Sequence, residues 1–388
     1  MNFAGGIPST YYSKYVVEGL GGTAVIIGVI GFVSNMILAF VQFPGGVLAD
    51  TQGRRWIIVV MTYGVAFTYI LYAVAPTWHF IVVAAAIQNL CLVYQPALMA
   101  MRSDSIHFEK RGMGFATITF LSNIALMFSP IIAGFLYLQY GLVPGMRIAY
   151  FIVTVFFLAA ATLRIKLKET LEVKEEGRNI RKVVRAYPQT VKESLASWKI
   201  LPRSMFYLFL ANAIFTFAWA MSLSYQVLYA TDPNILNLGG AEWAFLATLQ
   251  AVATILFALP GGKLVDKIGR KKPLMVAWLI VSPAMVLFIY GDFLRLVVTF
   301  LLIGIYSAFY NSAYFAFETD LVPRKQRGKM VGFTRFIIYI LTAVGQVTGG
   351  FLYQYISPLL PFIFTLVSAV ICVLIMLFFV HETKEREN

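Results

Sequence analysis

The sequence predicts an all-α membrane protein that crosses the bilayer many times. Of its 388 residues, 60% are hydrophobic and only 13% are charged, whereas ordinary soluble domains contain about 25% charged residues. Apolar runs of the length that a helix needs to cross the hydrocarbon core recur along the whole chain. These observations leave no room for a soluble domain of ordinary size.

Eleven apolar runs are predicted to span the membrane as helices. They cover about 22–48, 57–75, 78–101, 113–138, 147–166, 204–230, 241–262, 273–290, 294–318, 330–354 and 357–380. A further segment, NFAGGIPSTYYSKYVVEGL, is apolar and aromatic but too short to cross a core of about 30 Å as a helix. We therefore expect twelve helices, of which the first is incomplete.

The two halves of the chain repeat each other. The stretch FPGGVLADTQGRR, which ends at Arg55, matches LPGGKLVDKIGRK, which begins at Leu259, and the two are offset by 216 positions. At the same offset, YQPALMAMRSDSIHFEKRG from Tyr94 matches YNSAYFAFETDLVPRKQRG from Tyr310. Because six spans return a chain to its starting side, the halves are predicted to be parallel repeats.

The repeat also predicts the domain boundaries. We expect a six-helix bundle over 1–166, a linker over 167–203, a second bundle over 204–380 and a tail over 381–388. In the linker, Ile180, Val183, Val184 and Tyr187 recur at helical spacing among charged residues. This spacing indicates either a helix lying on the inner membrane surface or a solvated connector.

The formal net charge of +13 has its explanation in alternate loops rather than in nucleic-acid binding. Basic residues follow the second, fourth, eighth and tenth helices, and among them are Arg54, Arg55, Arg102, Lys110, Arg111, Lys267, Arg270, Lys271, Lys272, Arg324, Lys325, Arg327 and Lys329. Cytoplasmic loops of membrane proteins carry such an excess. Both chain ends are therefore expected in the cytoplasm, with the protein in the plasma membrane.

The paired turns resemble those of the major facilitator superfamily, in which the turn between helices 2 and 3 reads approximately G-x-L-A-D-x-x-G-R-[RK]. The matching residues are Gly46, Leu48, Ala49, Asp50, Gly53, Arg54 and Arg55 in the first copy, and Gly262, Leu264, Asp266, Gly269, Arg270 and Lys271 in the second. The resemblance covers essentially the whole chain and implies that family's fold of two parallel six-helix repeats, with a substrate site between them.

The resemblance also implies a role for these turns in gating. When the cytoplasmic side is shut, Asp50 is expected to meet the start of helix 11 and Asp266 the start of helix 5. Arg111 and Arg327 precede those helices and are the expected partners. For the basic residues, the alternative is that they only fix the topology.

Three further comparisons with the family bear on function. SPIIAG from Ser129 and GQVTGG from Gly345 approximate the G-P-x-x-G-G run in helix 5 of many exporters, although tight packing alone also accounts for them. The helix 4 arginine of many proton-coupled exporters is absent, with Ala85 and Asn89 in the corresponding stretch. The sugar-porter signature P-E-S-P-R is also absent, with LKET from Leu167 in its place.

Polar and aromatic residues inside the predicted spans are the candidates for a substrate cavity. They are Asn35, Gln88, Asn123, Asn212, Trp219, Gln226, Tyr306, Tyr310, Asn311, Tyr314, Arg335, Tyr339 and Gln346. Three tyrosines spaced four apart, from Tyr306 to Tyr314, share one helix face and suit an aromatic or amphipathic ligand. For each candidate, helix packing is the alternative.

Arg335 is the basic residue that lies clearly inside a predicted span. One interpretation is that it extends toward the cytoplasm or pairs with Glu318 or Asp320. The other is that it binds an anion or serves as a coupling charge. No acidic residue lies near the middle of a span, so a coupling proton would need an acid at a helix end, such as Glu318. Without such an acid, uniport or exchange is expected.

These features predict a secondary transporter that moves a small organic molecule by alternating access. Export of amphipathic compounds is favoured, and uptake of a sugar or another neutral metabolite is the alternative. The alternative of another class is a sensor or scaffold that does not transport. No nucleotide-binding loop, catalytic set or metal-ligand spacing is visible, so we expect no enzyme, cofactor or metal, and a monomer in the bilayer.

Overall fold

The fold is built from helices that cross the membrane. The computed structural model describes residues 1–51, 53–107, 111–170, 203–321 and 327–381, and these ranges contain helices and no strands. Eleven of the described helices are long and apolar enough to span a membrane, as predicted. The possible surface helix in the linker falls mainly on residues 171–202, outside the described ranges.

The chain divides into two compact units, Met1–Lys192 and Glu193–Asn388. The helices of the first unit are α1 (Asn2–Ser9), α2 (Ala24–Thr51), α3 (Arg55–Val74), α4 (Trp78–Asp104, with one 3₁₀ turn at Leu92–Tyr94), α5 (Arg111–Met127, then Ser129–Tyr140) and α6 (Leu142–Arg164).

The second unit repeats this order of helices. They are α7 (Arg203–Leu223, then Gln226–Thr231), α8 (Gly240–Ile268), α9 (Lys271–Ile289), α10 (Phe293–Leu321), α11 (Arg327–Phe351, with a π turn at Leu352–Ile356) and α12 (Leu360–Phe379).

The opening segment is short, as expected. After α1 the chain forms one helical turn at Tyr12–Lys14 and a π turn at Tyr15–Gly19. Ile7 of α1 is fully buried. The hydroxyl of Ser129 donates to the carbonyl oxygen of Phe3 at 2.7 Å, so α1 packs against α5.

The same helix pairs pack in both units. In the first unit, α2 packs on α4, α3 on α4 and α6, and α1 on α5 and α6. In the second unit, α8 packs on α10, α9 on α10 and α12, and α7 on α11 and α12. The sequence repeat is therefore a repeat of the packing as well.

Small residues allow α11 to lie close to α7. A Cβ added at Gly345 would lie 2.5 Å from the carbonyl oxygen of Phe217, and one added at Gly349 would overlap the backbone of Met221. Gly345 and Gly349 of the GQVTGG stretch are therefore required by backbone packing. Gly6 plays the corresponding part in the first unit, where an added Cβ would overlap the Ser129 side chain.

Large apolar side chains cover the outer faces of both units. Phe67 and Leu138 of the first unit and Leu256 and Phe378 of the second are each more than half exposed. Surfaces this apolar suit hydrocarbon rather than water. The exposed faces are therefore the lipid-facing ones.

Candidate functional site

The second unit contains an open cavity of about 450 Å³ lined by side chains of α7, α8, α10 and α11. It is lined by Asn212, Phe215, Thr216, Trp219, Leu223, Gln250, Tyr306, Ser307, Tyr310, Asn311, Tyr314, Phe315, Glu318, Thr334, Arg335 and Ile338. This volume lies in the range of small-molecule binding sites, which span roughly 300–1,000 Å³.

One wall of the cavity is aromatic. The ring centroids of Phe215 and Trp219 lie 5.8 Å apart with nearly parallel planes, and Trp219 contacts Tyr306 at 5.5 Å. Tyr306 and Tyr310 follow at 5.5 Å, and Tyr310 stacks on Tyr314 at 5.4 Å. Rings at these separations form a continuous surface against which a flat ligand can lie.

A hydrogen bond fixes the middle of this wall. The Tyr310 hydroxyl donates to the Asn212 Oδ1 at 2.6 Å, and Asn212 is 2% exposed. A buried amide is stable only when its polar atoms are paired. The pair therefore holds α7 against α10 and sets the angle of the central ring.

The end of the cavity near the loop between α10 and α11 carries charge. Glu318 is 3% exposed and accepts a hydrogen bond from the Thr334 hydroxyl at 2.9 Å. Arg335, the next residue, is exposed, and its guanidinium lies 4.9 Å from the centroid of the Phe315 ring. An acidic and a basic group thus approach the same cavity from neighbouring helices.

Several candidates from the sequence come together here. Asn212, Trp219, Tyr306, Tyr310, Asn311, Tyr314 and Arg335 all line the cavity. Gln226, Tyr339 and Gln346 of the same unit do not line it. Gln346 instead contacts the break in α7. Its backbone carbonyl oxygen accepts from the Tyr225 hydroxyl at 2.8 Å, and its side-chain Nε2 donates to the Ser224 hydroxyl at 3.3 Å.

The candidates of the first unit have local partners. Gln88 accepts from the Tyr72 hydroxyl at 3.0 Å and donates to the Tyr69 hydroxyl at 2.7 Å. The amide of Asn35 donates to the carbonyl oxygen of Gly31 at 3.0 Å, one turn back in its own helix. Asn123 is half-buried in α5. Helix packing accounts for the hydrogen bonds of Gln88 and Asn35.

The search for polar residues missed part of the lining. Phe215 and Phe315 were not predicted because they are apolar. Thr334 was not predicted because the charge of the neighbouring Arg335 is the stronger signal. Glu318 was expected only as an acid at a helix end. It lies four residues after Tyr314, so it extends the face that starts at Tyr306, and that spacing is the signal that places it.

The first glycine-rich turn is held by carboxylates of its own unit. The Arg54 guanidinium is buried and pairs with Asp104 at the end of α4. Glu169 accepts from the backbone N–H groups of Arg54 and Arg55, each at 2.9 Å. The carboxylate thereby satisfies two amides at the start of α3, where a negative charge is stabilised.

The second turn has a related network. Arg270 pairs with Asp266 at 3.3 Å and with Asp320 of α10 at 3.2 Å, and Lys271 donates to the carbonyl oxygen of Leu377 at 3.3 Å. The side chains of Asp50, Arg111 and Arg327 lie outside what the structure describes. Their expected contacts, and the expected contact of Asp266 with α5, stay predictions.

The glycines of the two turns differ in their roles. Gly53 and Gly269 have φ angles of 85° and 92°, in the left-handed region that favours glycine. A Cβ added at Gly46 or Gly262 would meet no described atom of its own unit within 4 Å. The tight turns therefore require glycine at Gly53 and Gly269. Helix packing within a unit does not require glycine at Gly46 and Gly262.

The structure thus defines a helical membrane protein of two six-helix repeats with a ligand-sized cavity in the second repeat. The model of the Major Facilitator Superfamily matches residues 1–239 and 208–388 of the chain. The chain belongs to that superfamily, a family of transporters rather than enzymes. Among the described residues, no group of His, Cys, Asp and Glu is placed to hold a metal ion.

Several curated relatives share one name. The chain is 27% identical over 248 residues to "Multidrug resistance protein MdtG" of Salmonella typhi, which is 61% of this chain and 56% of the relative. It is 29% identical over 241 residues to the protein of that name from Salmonella arizonae, again 61% of this chain and 56% of the relative. The chain thus spans about half the length of the curated relatives that it matches.

Solved structures share the fold. A mutant of the nucleoside transporter NupG superposes with a TM-score of 0.73 at 15% identity. The superposition covers 97% of this chain and 96% of the NupG chain. A bacterial homologue of the human lysosomal transporter Spinster gives 0.75 at 13%, covering 97% and 95%. The human organic anion transporter MFSD10 gives 0.62 at 17%, covering 90% and 83%.

Proposed function

We propose that this chain is a secondary transporter that exports amphipathic organic compounds by alternating access. The observation that carries the proposal is the cavity in the second unit, where the rings from Phe215 to Tyr314 form a continuous wall. An aromatic ligand gains about 0.5–1.5 kcal/mol from each well-placed ring contact, beyond the burial of its area.

Direction is proposed from the relatives. Their printed name assigns them to multidrug resistance, which in a membrane transporter is achieved by removing compounds from the cell. The resemblance of the SPIIAG stretch in α5 to the exporter element favours the same direction, whereas its contact with α1 is a packing role that does not bear on direction. We therefore favour export over uptake of a sugar or another neutral metabolite.

The two glycine-rich turns are proposed as the gating elements. Each brings an arginine next to a carboxylate at the end of α4 or α10, so each ties two helices together at one end of its bundle. Such ion pairs can break and re-form as helices shift, which gives a rigid bundle two discrete arrangements. Asp50, Arg111 and Arg327 are proposed to take part in the same switching.

Topology and coupling are also proposals. The alternating basic loops support cytoplasmic chain ends in a multi-pass plasma-membrane protein, and reporter fusions at the C-terminus test this assignment. Glu318 lines the cavity and is therefore the proposed site for a coupling proton, if transport uses one. We expect a monomer, which the mass of the purified protein in detergent checks directly.

An accumulation assay tests the proposed function. The full chain is produced in bacterial cells that lack their main multidrug exporters, and the cells are loaded with phenylnaphthylamine, a neutral aromatic probe that fluoresces in membranes. Export predicts lower probe fluorescence than in cells with an empty vector. Trp219→Ala should restore the vector level, because it removes a large ring of the wall that contacts both Phe215 and Tyr306.

The other outcomes identify the alternatives. Higher fluorescence than in the vector control would indicate uptake. Unchanged fluorescence, together with saturable binding of the probe by the purified chain, would indicate a sensor or scaffold that does not transport. In either case the export proposal is wrong.

A further inference from the structure

The Arg335 guanidinium forms no ion pair with a carboxylate of the described residues, although Glu318 lies close enough to interact with its charge. Its guanidinium lies over the Phe315 ring at 4.9 Å. Asp320, one of the two acids expected to pair with it, is bound to Arg270 at 3.2 Å. Glu318, the other, accepts from Thr334 at 2.9 Å. The N–H donors of Arg335 are therefore available to a ligand.

Arg335 lies where a substrate could reach it. The residue lies in the membrane span Gly332–Ile356 and lines the cavity together with the aromatic wall. A charge at membrane depth is costly, and where one occurs it commonly marks a substrate or ion pathway. The contact with the Phe315 ring uses none of the guanidinium's hydrogen-bond donors.

We propose that the cavity binds aromatic compounds that carry an anionic group, with the rings on the wall from Phe215 to Tyr310 and the anionic group on Arg335. This inference refines the proposed function and rests on it. The planar guanidinium offers paired N–H donors that match a carboxylate, sulfonate or phosphonate. An apolar wall next to one fixed cation selects for molecules that combine both features.

An aromatic cation fits the cavity less well. Glu318 is the acid on the cavity wall, but it is 3% exposed and already accepts the Thr334 hydrogen bond. Arg335 is adjacent to Thr334 in the sequence and is exposed. A cation attracted by Glu318 would therefore also approach the positive charge of Arg335, which is more accessible to a ligand than the Glu318 carboxylate.

The experiment compares two probes that differ by a single group. Anilinonaphthalene sulfonate carries a sulfonate, and phenylnaphthylamine is the same ring system without it. Binding of each radiolabelled probe to the purified chain in lipid nanodiscs is measured by equilibrium dialysis, with empty nanodiscs subtracted. The wild-type chain should bind the sulfonate at least about tenfold more tightly, as expected for a charge-assisted contact.

Three variants assign this preference to Arg335. Arg335→Gln should weaken sulfonate binding by about tenfold or more and change phenylnaphthylamine binding by less than about threefold, and Arg335→Lys should fall between. Arg295→Gln is the matched control, because Arg295 is exposed and pairs with Asp292 away from the cavity. Unchanged phenylnaphthylamine binding shows that a variant is folded.

Two results would overturn the anion proposal: equal binding of both probes by the wild-type chain, or an unchanged preference in Arg335→Gln. Neither result affects export of the neutral probe, so the proposed function can survive the loss of this refinement. Conversely, a chain that binds the sulfonate through Arg335 but moves neither probe across a membrane would contradict the transport function and leave the binding site in place.

Discussion

At the scale of single residues, the Tyr310–Asn212 hydrogen bond is the contact that fixes the aromatic wall. Tyr310→Phe keeps the ring but leaves the buried Asn212 oxygen without its donor. We expect the free energy of unfolding to fall by about 1–2 kcal/mol, with weaker phenylnaphthylamine binding. Thermal unfolding in detergent measures the first effect. Tyr290→Phe is the control, because Tyr290 is 70% exposed, and an equal loss there would contradict this account.

We expect Glu318 to affect how strongly the cavity attracts an anion. Its carboxylate approaches the cavity beside Arg335, so an ionised Glu318 opposes a bound sulfonate. Glu318→Gln keeps the size and the acceptor for Thr334, and it should raise the affinity for anilinonaphthalene sulfonate by about three- to tenfold at mildly alkaline pH. Weaker sulfonate binding in this variant would show that the carboxylate supports the ligand instead.

The cavity shows which site residues a sequence reveals. Tyr306, Tyr310 and Tyr314 were found because polar rings at helical spacing stand out in an apolar span. Phe215 could not be found in this way, because an apolar ring in a membrane helix looks the same whether it faces lipid, protein or a ligand. The partner of a polar residue was equally invisible, as for Gln88, whose two tyrosines come from another helix.

At the scale of helices, the α7–α11 contact depends on Gly345. Gly345→Ala should destabilise the second unit by about 1–3 kcal/mol, because the added methyl overlaps the carbonyl of Phe217 and overpacking costs this much. Gly332→Ala in the same helix has open space around its Cβ and should leave the unfolding temperature nearly unchanged. Tolerance of both substitutions would contradict the close packing.

The Arg54–Asp104 pair joins the first glycine-rich turn to the end of α4. Asp104→Asn removes the carboxylate that pairs with the buried Arg54 guanidinium from the end of α4, and we expect a loss of about 1–2 kcal/mol in unfolding free energy. Asp292→Asn removes an acid from the exposed pair with Arg295, which should cost less than about 0.5 kcal/mol. Denaturant unfolding measures the free energy of unfolding of both variants. Equal losses of free energy would mean that the burial of Arg54 is unimportant.

Helix number and order could be predicted from the sequence, whereas helix interruptions could not. Apolar runs of sufficient length leave few alternatives in a bilayer, so all eleven spans were found. The breaks before Gln95 in α4 and before Ser129 in α5 were not predicted, although Pro96 and Pro130 lie in the first turns that follow them. A proline signals a possible break, but neighbouring helices decide whether the chain takes it.

At the scale of the whole molecule, the proposed anionic substrate predicts a driving force. An inside-negative membrane potential contributes about 2.3 kcal/mol per charge per 100 mV, which corresponds to about fiftyfold accumulation of an anion on the positive side. In proteoliposomes with a potassium diffusion potential, anilinonaphthalene sulfonate should move toward the positive side without a pH gradient. Flux that requires a pH gradient and ignores the potential would contradict potential-driven transport.

The duplication was the feature of the whole molecule that the sequence predicted best. The offset of 216 positions reappears as the same set of packed helix pairs in both units. The two repeats are not equivalent in chemistry, however, because the tyrosine face from Tyr306 and the exposed Arg335 belong to the second one. Duplication predicts architecture, and we propose that the residues in which the copies differ carry the specificity.

We propose that this chain moves aromatic amphipathic molecules across a membrane through the cavity of its second unit. The most direct test is the flux of phenylnaphthylamine and anilinonaphthalene sulfonate in proteoliposomes that contain only the purified chain. We expect saturable flux above that of protein-free vesicles, and a large reduction of this flux in Trp219→Ala. Flux equal to that of protein-free vesicles for both probes, from a folded chain that binds them, would contradict it.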